Sequence, residues 1–406
     1  MVKKPTVFYG WFVVVACLLV TITLGETYWS YGVFFKPLEN EFGWNRALTS
    51  SGYAAFLIGY VISLVISGRL ADRYSPRTIL LATALVGGLG ITLCSQVNSI
   101  NQLRIFLLIT GLGTGGTWSL PSATVQRWFY KRQRAGLALA IVVSGVGIGV
   151  LIFTPLLNYL ILSYGWRNTY LIAGIIFFVL IAISALMIKQ SPAEEKTDLE
   201  NEKSIPKSAN SQGWTTGKVI TTSAFIGIAF LFAVNLLASQ VVVVHLIPHA
   251  TDVGISSTIA AAAFGLVGGF SIPGRLMAGI LSERIGWQRI LTLMFLGKAL
   301  PILWLIFLKA TWMVYVFSFF YGIFHGAIAI ALVAILGKFF GMRSIAELIG
   351  ITTALGLCIG AFAPYVAGFI FDATGSYLVA FVIVAAFLLS ASFVATIVKE
   401  PTTTPD

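Results

Sequence analysis

The chain has 406 residues, of which 58% are hydrophobic and only 10% are charged, and its mean hydropathy is +0.92. Soluble globular proteins carry about a quarter charged residues, so this composition excludes that class and indicates a helical protein that crosses a membrane repeatedly. The net charge of +11 does not indicate a nucleic-acid partner, because Lys and Arg lie in short loops between apolar runs and form no single basic face.

The chain begins with a short basic segment that contains Lys3 and Lys4, followed by an apolar run over residues 8–35. This run is too long for the apolar core of a secretory signal, and no small-residue cleavage site follows it. We therefore predict that the run is retained as the first membrane-spanning helix.

Eleven further apolar runs follow, and each is long enough to cross a membrane, several of them with tilt. The predicted spans cover residues 8–35, 47–71, 78–96, 102–126, 134–160, 166–188, 218–246, 256–282, 289–308, 311–338, 343–372 and 376–398. The pattern predicts an all-α membrane protein with twelve transmembrane helices. Cys17, Cys94 and Cys358 lie inside these spans without metal-ligand or disulfide spacing, so each is interpreted as a small buried apolar side chain.

A polar stretch between the sixth and seventh spans is rich in Lys, Glu, Ser and Asn, a composition typical of a solvated linker. It divides the spans into two sets of six. We therefore predict an N-terminal six-helix bundle over residues 1–188, a linker over residues 189–217 and a C-terminal six-helix bundle over residues 218–406.

The distribution of basic residues predicts the orientation. Most Lys and Arg residues lie in the loops on the side that carries the termini and the linker. The other side has only Lys36, Arg46, Arg104, Arg167 and Lys309. Because cytoplasmic loops carry the excess of basic residues, both termini and the linker are predicted to be cytoplasmic.

The two halves repeat one another at an offset of 211 residues. The sequence GRLADR at 68–73 corresponds to GILSER at 279–284, and the Gly-xxx-Gly pair at 145–149 corresponds to the pair at 356–360. Matches at a single offset indicate parallel halves related by an axis along the membrane normal, with a substrate site near the midplane between them. The glycine pairs are expected to let backbones approach closely where the halves meet.

These residues resemble a known family. The sequence GRLADRYSPR at 68–77 resembles the loop signature of the major facilitator superfamily. Within it, three stretches resemble the monocarboxylate porters and their bacterial oxalate/formate-exchanger relatives: Tyr9-Gly-Trp, the motifs YGVFFKPL and EFGW within 31–44, and HLIPHATD at 245–252. The resemblance extends over essentially the whole chain, and it implies the two-bundle major facilitator fold.

The resemblance singles out Arg275. In this branch an arginine of the eighth span binds the substrate carboxylate, and Arg275 matches its position. Animal-type carriers have an aspartate one turn earlier, where this chain has Ser271, and a lysine in the first span near the position of Trp29. Oxalate exchangers have a second cation in the eleventh span, whereas residues 351–368 contain no Lys or Arg. The resemblance therefore implies a substrate with one carboxylate and disfavours a dicarboxylate.

The residue itself supports the same interpretation. A charge within the lipid region costs several kcal/mol, so such a side chain is expected to face a cavity, or else to snorkel to the nearer interface. The planar guanidinium of Arg275 matches a carboxylate with two parallel hydrogen bonds. We therefore predict that Arg275 binds the substrate anion.

Three other ionisable side chains lie well inside predicted spans. His325, near the middle of the tenth span, is predicted either to bind substrate and take part in proton coupling, or to be a buried histidine bonded to a backbone carbonyl. Glu26, near the outer end of the first span, is interpreted as a protonatable gate residue or as a solvated carboxylate at the outer mouth. Lys298 is interpreted as structurally paired or snorkelling, because the ninth span is peripheral in this superfamily.

Further side chains on the predicted central spans are candidates for the substrate pocket. A pocket for a small organic acid needs one anchor, a few hydrogen-bonding groups and an apolar wall. The candidates, each of which is alternatively a packing residue, are Tyr28, Tyr31, Trp118, Ser119, Asn235, Ser271, Phe320, Tyr321 and His325.

Charged residues in the two repeated loops suggest a cytoplasmic gate. Asp72 with Arg73 and Glu283 with Arg284 lie at cytoplasmic helix ends, where a carboxylate near a helix N-terminus gains about 0.3–1 kcal/mol. We interpret them as a charge latch that closes the inner face in one state. The alternative is that the arginines serve orientation alone.

Residues and resemblance together predict a secondary active transporter of a small monocarboxylate such as lactate or pyruvate, moved with a proton by alternating access. The sequence has no GxxxxGK[ST] loop and no catalytic constellation, so neither a nucleotide-driven pump nor an enzyme is expected, and no cofactor or metal. The expected partners are the carboxylate anion, the proton and the lipid bilayer. The chain is predicted to act as a monomer in the cell (inner) membrane.

Three alternatives remain open. The first is an organic-anion exchanger for formate- or oxalate-like substrates, without a proton. The second is a drug efflux carrier, which would need a membrane carboxylate for cationic drugs, and only Glu26 is available. The third is a non-transporting sensor that binds its ligand without flux.

Overall fold

The apolar runs of the sequence form long α-helices. The structure is a computed structural model that describes residues 8–401 apart from 72, 130–133, 190–215 and 342–344. The helices of the first half are α1 (Gly10–Thr27), α2 (Tyr31–Phe42), α3 (Arg46–Leu70), α4 (Pro76–Leu93), α5 (Ile100–Thr114), α6 (Gly116–Trp128) and α7 (Ala135–Met187). Those of the second half are α8 (Ser223–Asp252), α9 (Ser257–Ile285), α10 (Trp287–Trp304), α11 (Thr311–Phe340), α12 (Ile345–Thr374) and α13 (Leu378–Ile397).

Polar caps explain where several helices begin. The Asn45 side chain accepts a hydrogen bond from the Leu48 N–H at the start of α3, and the Thr222 side chain accepts one from Phe225 at the start of α8. Such caps satisfy backbone N–H groups that have no partner within the helix. The spans therefore begin at residues that the sequence marks as polar boundaries.

Two spans are interrupted and one helix contains two spans. The first span is broken between α1 and α2, where the Ser30 hydroxyl donates to the Gly25 carbonyl over 2.6 Å. The fourth span consists of α5 and α6, which meet at Gly115. α7 has 53 residues and turns back at Gly165, whose φ of 80° and ψ of 159° favour glycine. With these divisions the described helices form the twelve predicted membrane spans, in two bundles of six.

Two packing predictions need correction. Gly149 packs against the Ile22 backbone of α1, and Gly356 packs against α8 near Leu236, so these glycines pack helices within each half. The expectation that they join the halves is therefore wrong. Cys17 and Cys94 are buried as predicted, whereas Cys358 is exposed on the surface of α12. The predicted linker over 189–217 falls almost entirely outside the described residues, so its boundaries stay a prediction.

The halves meet where α3 packs on α12, α7 on α9 and α2 on α8. These contacts are closest on the face away from the chain termini, which we call the closed face. There, a β-carbon at Gly368 would overlap the Arg46 backbone, and one at Gly32 would overlap the Val243 carbonyl. On the termini face, where α1 begins and α13 ends, open space lies beside Gly68, Gly136, Gly279 and Gly350. The contacts between the halves that are described here are therefore closest at the closed face.

Candidate functional site

A cavity lies between the two halves, near the middle of the bundle. Its volume is about 990 Å³ when the part open to solvent is counted. Its polar and aromatic lining residues are Tyr28, Trp29, Tyr60, Trp118, Phe232, Asn235, Ser239, Arg275, His325 and Thr353, and aliphatic side chains complete the wall. The cavity is thus mostly apolar with a few polar groups, which is the usual character of a small-molecule site.

Arg275 places a guanidinium group in this cavity. It lies on α9, is half-buried, and its Nη1 donates one hydrogen bond to the Val143 carbonyl of α7 over 2.9 Å. Ser271, one turn earlier, donates its hydroxyl to the Gly268 carbonyl over 2.7 Å. Among the residues that the structure describes, no carboxylate pairs with Arg275. Since a guanidinium has five N–H donors, most of them are left for a ligand.

Five of the predicted pocket residues lie around this cavity with Arg275. Tyr28, Trp118, Asn235 and His325 line it, and Ser271 lines a small adjoining recess that Arg275 and His325 share. The His325 ring meets the Trp29 ring from the other half edge-on, with 5.2 Å between their centroids. The group combines residues from both halves, as expected for a site at the midplane.

The structure places four other candidates elsewhere. The Tyr31 hydroxyl donates to the Thr49 carbonyl over 2.6 Å, away from the cavity. Ser119 has a buried hydroxyl that lacks a partner among the described residues, and it does not line the cavity. Phe320 is 47% exposed on the outer surface of α11. Tyr321 is fully buried behind His325, and the two rings stack with 6.0 Å between their centroids.

Glu26 lies in a separate, smaller cavity inside the first half. It is only 5% exposed, so the prediction of a solvated carboxylate at the outer mouth is wrong. Tyr31 and Tyr170 also line this cavity. Neither carboxyl oxygen of Glu26 has a hydrogen-bond partner in the described part of the chain. A carboxyl group in such surroundings is expected to be protonated, because an unpaired buried charge is very costly.

Of the two alternatives for Lys298, the structure shows structural pairing and not snorkelling. Its side chain is completely buried, and its ammonium nitrogen lies 2.8 Å from Asn235 Oδ1 and 3.2 Å from Ser239 Oγ. It also lies 3.4 Å from Nδ1 of His325. Lys298 therefore stands directly behind the cavity wall, with no carboxylate among these contacts.

Ion pairs that the sequence did not predict join the halves at the closed face. Asp252 of α8 pairs with Lys36 of α2 over 2.7 Å and with Arg46 of α3 over 2.6 Å. Arg46 also pairs with Glu39. Asp372 of α12 accepts hydrogen bonds from the N–H groups of Arg46 and its neighbour over 2.9 and 2.8 Å, and so caps α3 from the other half.

A hydrogen-bonded chain continues this network inward. Arg46 Nη1 donates to the Tyr377 hydroxyl over 2.7 Å, and its guanidinium lies 3.5 Å from the centroid of the Phe371 ring. His245 must donate from Nε2 to the Pro364 carbonyl, 2.8 Å away, since a carbonyl only accepts. Nδ1 of His245 lies 2.8 Å from the Tyr377 hydroxyl oxygen and therefore accepts a hydrogen bond from this hydroxyl group.

A second polar cluster separates this network from the cavity. The Tyr53 hydroxyl of α3 lies 2.8 Å from the Tyr28 carbonyl and 3.0 Å from Oε1 of Gln240 on α8. The Gln240 amide nitrogen donates to the Tyr28 hydroxyl. The cavity is therefore sealed from the closed face by two layers of polar contacts that cross between the halves.

The comparisons with known proteins agree with this architecture. The family model described as Major Facilitator Superfamily matches residues 15–312 and 228–406. The chain belongs to the Major Facilitator Superfamily. It is therefore a transporter, a multi-pass membrane protein that takes a small molecule, and not an enzyme.

Curated relatives of this facilitator include monocarboxylate transporters. It is 26% identical to Monocarboxylate transporter 12 of Homo sapiens, over 94% of this chain and 78% of the relative. It is 25% identical to Monocarboxylate transporter 13 of Rattus norvegicus, over 96% of this chain and 89% of the relative. It is also 22% identical to the uncharacterized MFS-type transporter YhjX of Escherichia coli, over 70% of this chain and 68% of the relative.

Solved structures of other facilitators share the fold. The D-xylose-proton symporter superposes with a TM-score of 0.78 at 16% identity, over 97% of this chain and 98% of that one. A bacterial homolog of the human lysosomal transporter Spinster, in an inward-facing and occupied conformation, superposes with a TM-score of 0.76 at 15% identity, over 97% of both chains. At such identities the likeness establishes the fold of this facilitator.

The predicted charge latch of this facilitator lies at the termini face. Arg73 and Arg284 are exposed there. Asp72 lies outside the described residues, as does the side chain of Glu283, so the latch stays a prediction. The cross-half contacts described above lie at the other end of the molecule.

Proposed function

We propose that the chain is a secondary active transporter that moves a small monocarboxylate together with a proton, by alternating access across the cell (inner) membrane. The observation that carries this proposal is Arg275, which faces the cavity with most of its donors unused. A carboxylate placed there forms charge-assisted hydrogen bonds and neutralises the guanidinium. The curated monocarboxylate transporter relatives support the same class of substrate.

The rest of the cavity suits a small amphipathic acid. Asn235 and His325 offer hydrogen bonds, while Trp29, Trp118 and the aliphatic wall contact an apolar tail. The cavity is larger than a three-carbon acid requires, and its lining extends to Leu64 and Ile349, near the ends of α3 and α12 at the termini face. We infer that the halves close around the substrate before they open on the other side.

The orientation that we propose places the termini in the cytoplasm, as the loop charges predict. The conformation described is then open to the cytoplasm and closed to the outside. The contacts of Asp252 and Asp372 with α3 support this assignment, since they hold the outer ends of the two halves together. We propose further that one chain suffices, because the cavity is formed entirely within the monomer.

A transport assay in proteoliposomes tests the proposal. For one-to-one symport with a proton, a gradient of one pH unit, acid outside, accumulates L-lactate inside by about tenfold. Collapse of the gradient with a protonophore should abolish the accumulation. Vesicles without protein provide the control. If L-lactate neither enters nor shifts the thermal unfolding of the purified protein, the proposed substrate class is wrong.

One observation favours exchange of organic anions as a second candidate. Lys298 supplies a second buried cation beside the cavity, which a second anionic group on the substrate would complement. Exchange differs from symport in needing an anion on both sides. Uptake that requires internal lactate, formate or oxalate and that is indifferent to external pH would establish it.

A further inference from the structure

Lys298 lies among three hydrogen-bond acceptors, all from neighbouring helices. Asn235 Oδ1 and Ser239 Oγ belong to α8, and His325 Nδ1 belongs to α11. The Ser239 hydroxyl donates its own proton to the Asn235 carbonyl over 2.7 Å, so its oxygen is free to accept. An ammonium group has three N–H donors, and here it meets three acceptors.

This match fixes the tautomer of His325 when Lys298 is charged. Nδ1 must then accept from the ammonium, so the ring proton resides on Nε2. Nε2 has no hydrogen-bond partner among the described residues, and the His325 ring lines the cavity, so we take Nε2 as the ring nitrogen that faces it. A charged Lys298 therefore makes His325 a hydrogen-bond donor toward the cavity.

The same contacts are also satisfied with one proton fewer. If Lys298 is a neutral amine, two N–H groups donate to Asn235 and Ser239, and Nδ1–H of His325 donates to the lone pair of Lys298 Nζ, 3.4 Å away, with Ser239 Oγ beside it at 3.3 Å. The cavity-facing Nε2 then carries a lone pair, which repels a carboxylate. Both protonation states leave no buried donor unmatched, which is the condition for a group that changes its proton inside a protein.

We propose that Lys298 and His325 together form the proton-binding unit of the carrier, in which Lys298 stores the proton and His325 conducts it to and from the cavity. A proton from cavity water binds at Nε2, the Nδ1–H bond breaks, and that proton forms the third N–H bond of Lys298. His325 is neutral before and after, and water supplies and recovers the proton. This inference rests on the proposed function and adds to it the residue that holds the proton.

The transfer couples the proton to the anion. Proton uptake converts Nε2 from an acceptor into a donor, and it adds a positive charge behind a cavity that already contains Arg275. Both changes favour a carboxylate. Ser271, one turn before Arg275, bears a hydroxyl that does not titrate near neutral pH, so it offers no alternative proton site.

Few other charged or titratable groups face this pair among the described residues. Tyr321 of α11 lies beneath Lys298, with 5.0 Å between the ammonium and the ring centroid. Arg275 of α9 shares a recess with His325. From the first half, Trp29 contributes only its ring. α13, which packs on α10, contains no titratable side chain. The proton of the pair is therefore governed by Arg275 and by the substrate.

Proton uptake on L-lactate binding tests the proposal with the purified full-length protein. Calorimetry in buffers of different ionisation enthalpy, across about pH 6–9, counts the protons bound per lactate. The wild type should take up about one proton per lactate wherever the empty carrier holds the neutral amine. Its lactate affinity should rise by up to about tenfold per unit fall in pH.

Two variants separate proton storage from packing. Lys298→Arg keeps a permanent positive charge, so lactate should still bind, with an affinity independent of pH and without proton uptake. Lys298→Met should also lose proton uptake and bind lactate more weakly, since His325 is no longer held as a donor. Lys309→Met, which removes an exposed lysine in the loop after α10, is the matched control and should behave as the wild type.

The outcomes are distinct. Two results would contradict the proposed proton-binding unit: both Lys298 variants retain the proton uptake of the wild type, or the wild type binds lactate without proton uptake. In either case the proposal that the protein carries a monocarboxylate still stands. If the wild type does not bind lactate at all, both proposals fail. Thermal unfolding and gel filtration establish that each variant is folded, and a wild-type count of zero overturns the proposal even if both variants misfold.

Discussion

Replacing Arg275 with glutamine should weaken the binding of L-lactate by on the order of 100-fold or more, and transport in proteoliposomes should fall to the background of empty vesicles. Glutamine removes the charge and the two-pronged donor, and leaves the substrate carboxylate desolvated beside an apolar wall. Arg275 makes a single hydrogen bond to the Val143 carbonyl, which a glutamine amide can replace. The variant should therefore stay folded, and the loss should be one of binding.

Two further variants serve as comparisons in this experiment. Arg275→Lys keeps the charge but not the planar fork, so its lactate affinity should lie between those of the wild type and Arg275→Gln. Arg289→Gln removes an exposed arginine on α10 and should bind as the wild type does. If Arg275→Gln is folded and binds lactate with unchanged affinity, the carboxylate is held elsewhere in the cavity.

The pseudo-symmetry of the bundle makes the proposed site asymmetric. The repeat of 211 residues pairs Arg275 with Leu64 of the first half, and both residues line the cavity. The second half thus contributes a charged side chain, Arg275, to the cavity, and the first half contributes an aliphatic one, Leu64. An acid with one carboxylate and a short apolar tail matches this asymmetry.

The span count and the position of Arg275 follow from the sequence because long apolar helices and a costly intramembrane charge are strong signals. The breaks within spans are weaker signals. Tyr28 and Tyr31 were expected on one helix, but the interruption at Ser30 changes their relative direction, and only Tyr28 faces the cavity. Continuous hydropathy does not reveal such a break.

Side-chain direction decides which neighbouring candidates reach the cavity. Adjacent residues on a helix point about 100° apart, and of Trp118 and Ser119 only Trp118 lines the cavity. The same reasoning applies to α11, where Tyr321 and His325 are four residues apart and share a face, while Phe320 points outward. The same geometry decides between the two alternatives for Lys298: it lies on the buried stripe of Leu291, Phe295 and Ile302, a spacing that places it toward the neighbouring helices and favours pairing over snorkelling.

The closed-face network could not be predicted at all. The contact between Arg46 and Asp372 joins residues 326 positions apart, and no local pattern links them. The sequence places these charges in outer loops, and for such loops it predicts only that basic residues are few. Which charges meet across the halves depends on the conformation, so a sequence alone does not contain the pairing.

This network should control which face is open. Replacing Arg46 with alanine leaves Asp252 without one of its two cationic partners and removes the contacts to Tyr377 and Phe371, around a side chain that is only 3% exposed. Loss of one member of a buried charged cluster costs roughly 3–5 kcal/mol. Because these contacts exist only when the face is closed, the cost falls on that state, and the ratio of open to closed molecules should rise by roughly 150- to 5000-fold.

Labelling of a cysteine below the network measures this shift. Ser50 is fully buried on α3 beneath Arg46, and Ser50→Cys in a chain with Cys358→Ala should react slowly with a membrane-impermeant thiol reagent added from the closed side. Adding Arg46→Ala should raise the labelling rate strongly. Lys36→Ala is the matched control. The Lys36 side chain is 26% exposed, so its ion pairs with Glu39 and Asp252 contribute about 0–1 kcal/mol. The labelling rate should therefore change little. Equal labelling rates in the Arg46 and Lys36 variants would mean that helix packing, rather than the charged network, holds this face closed.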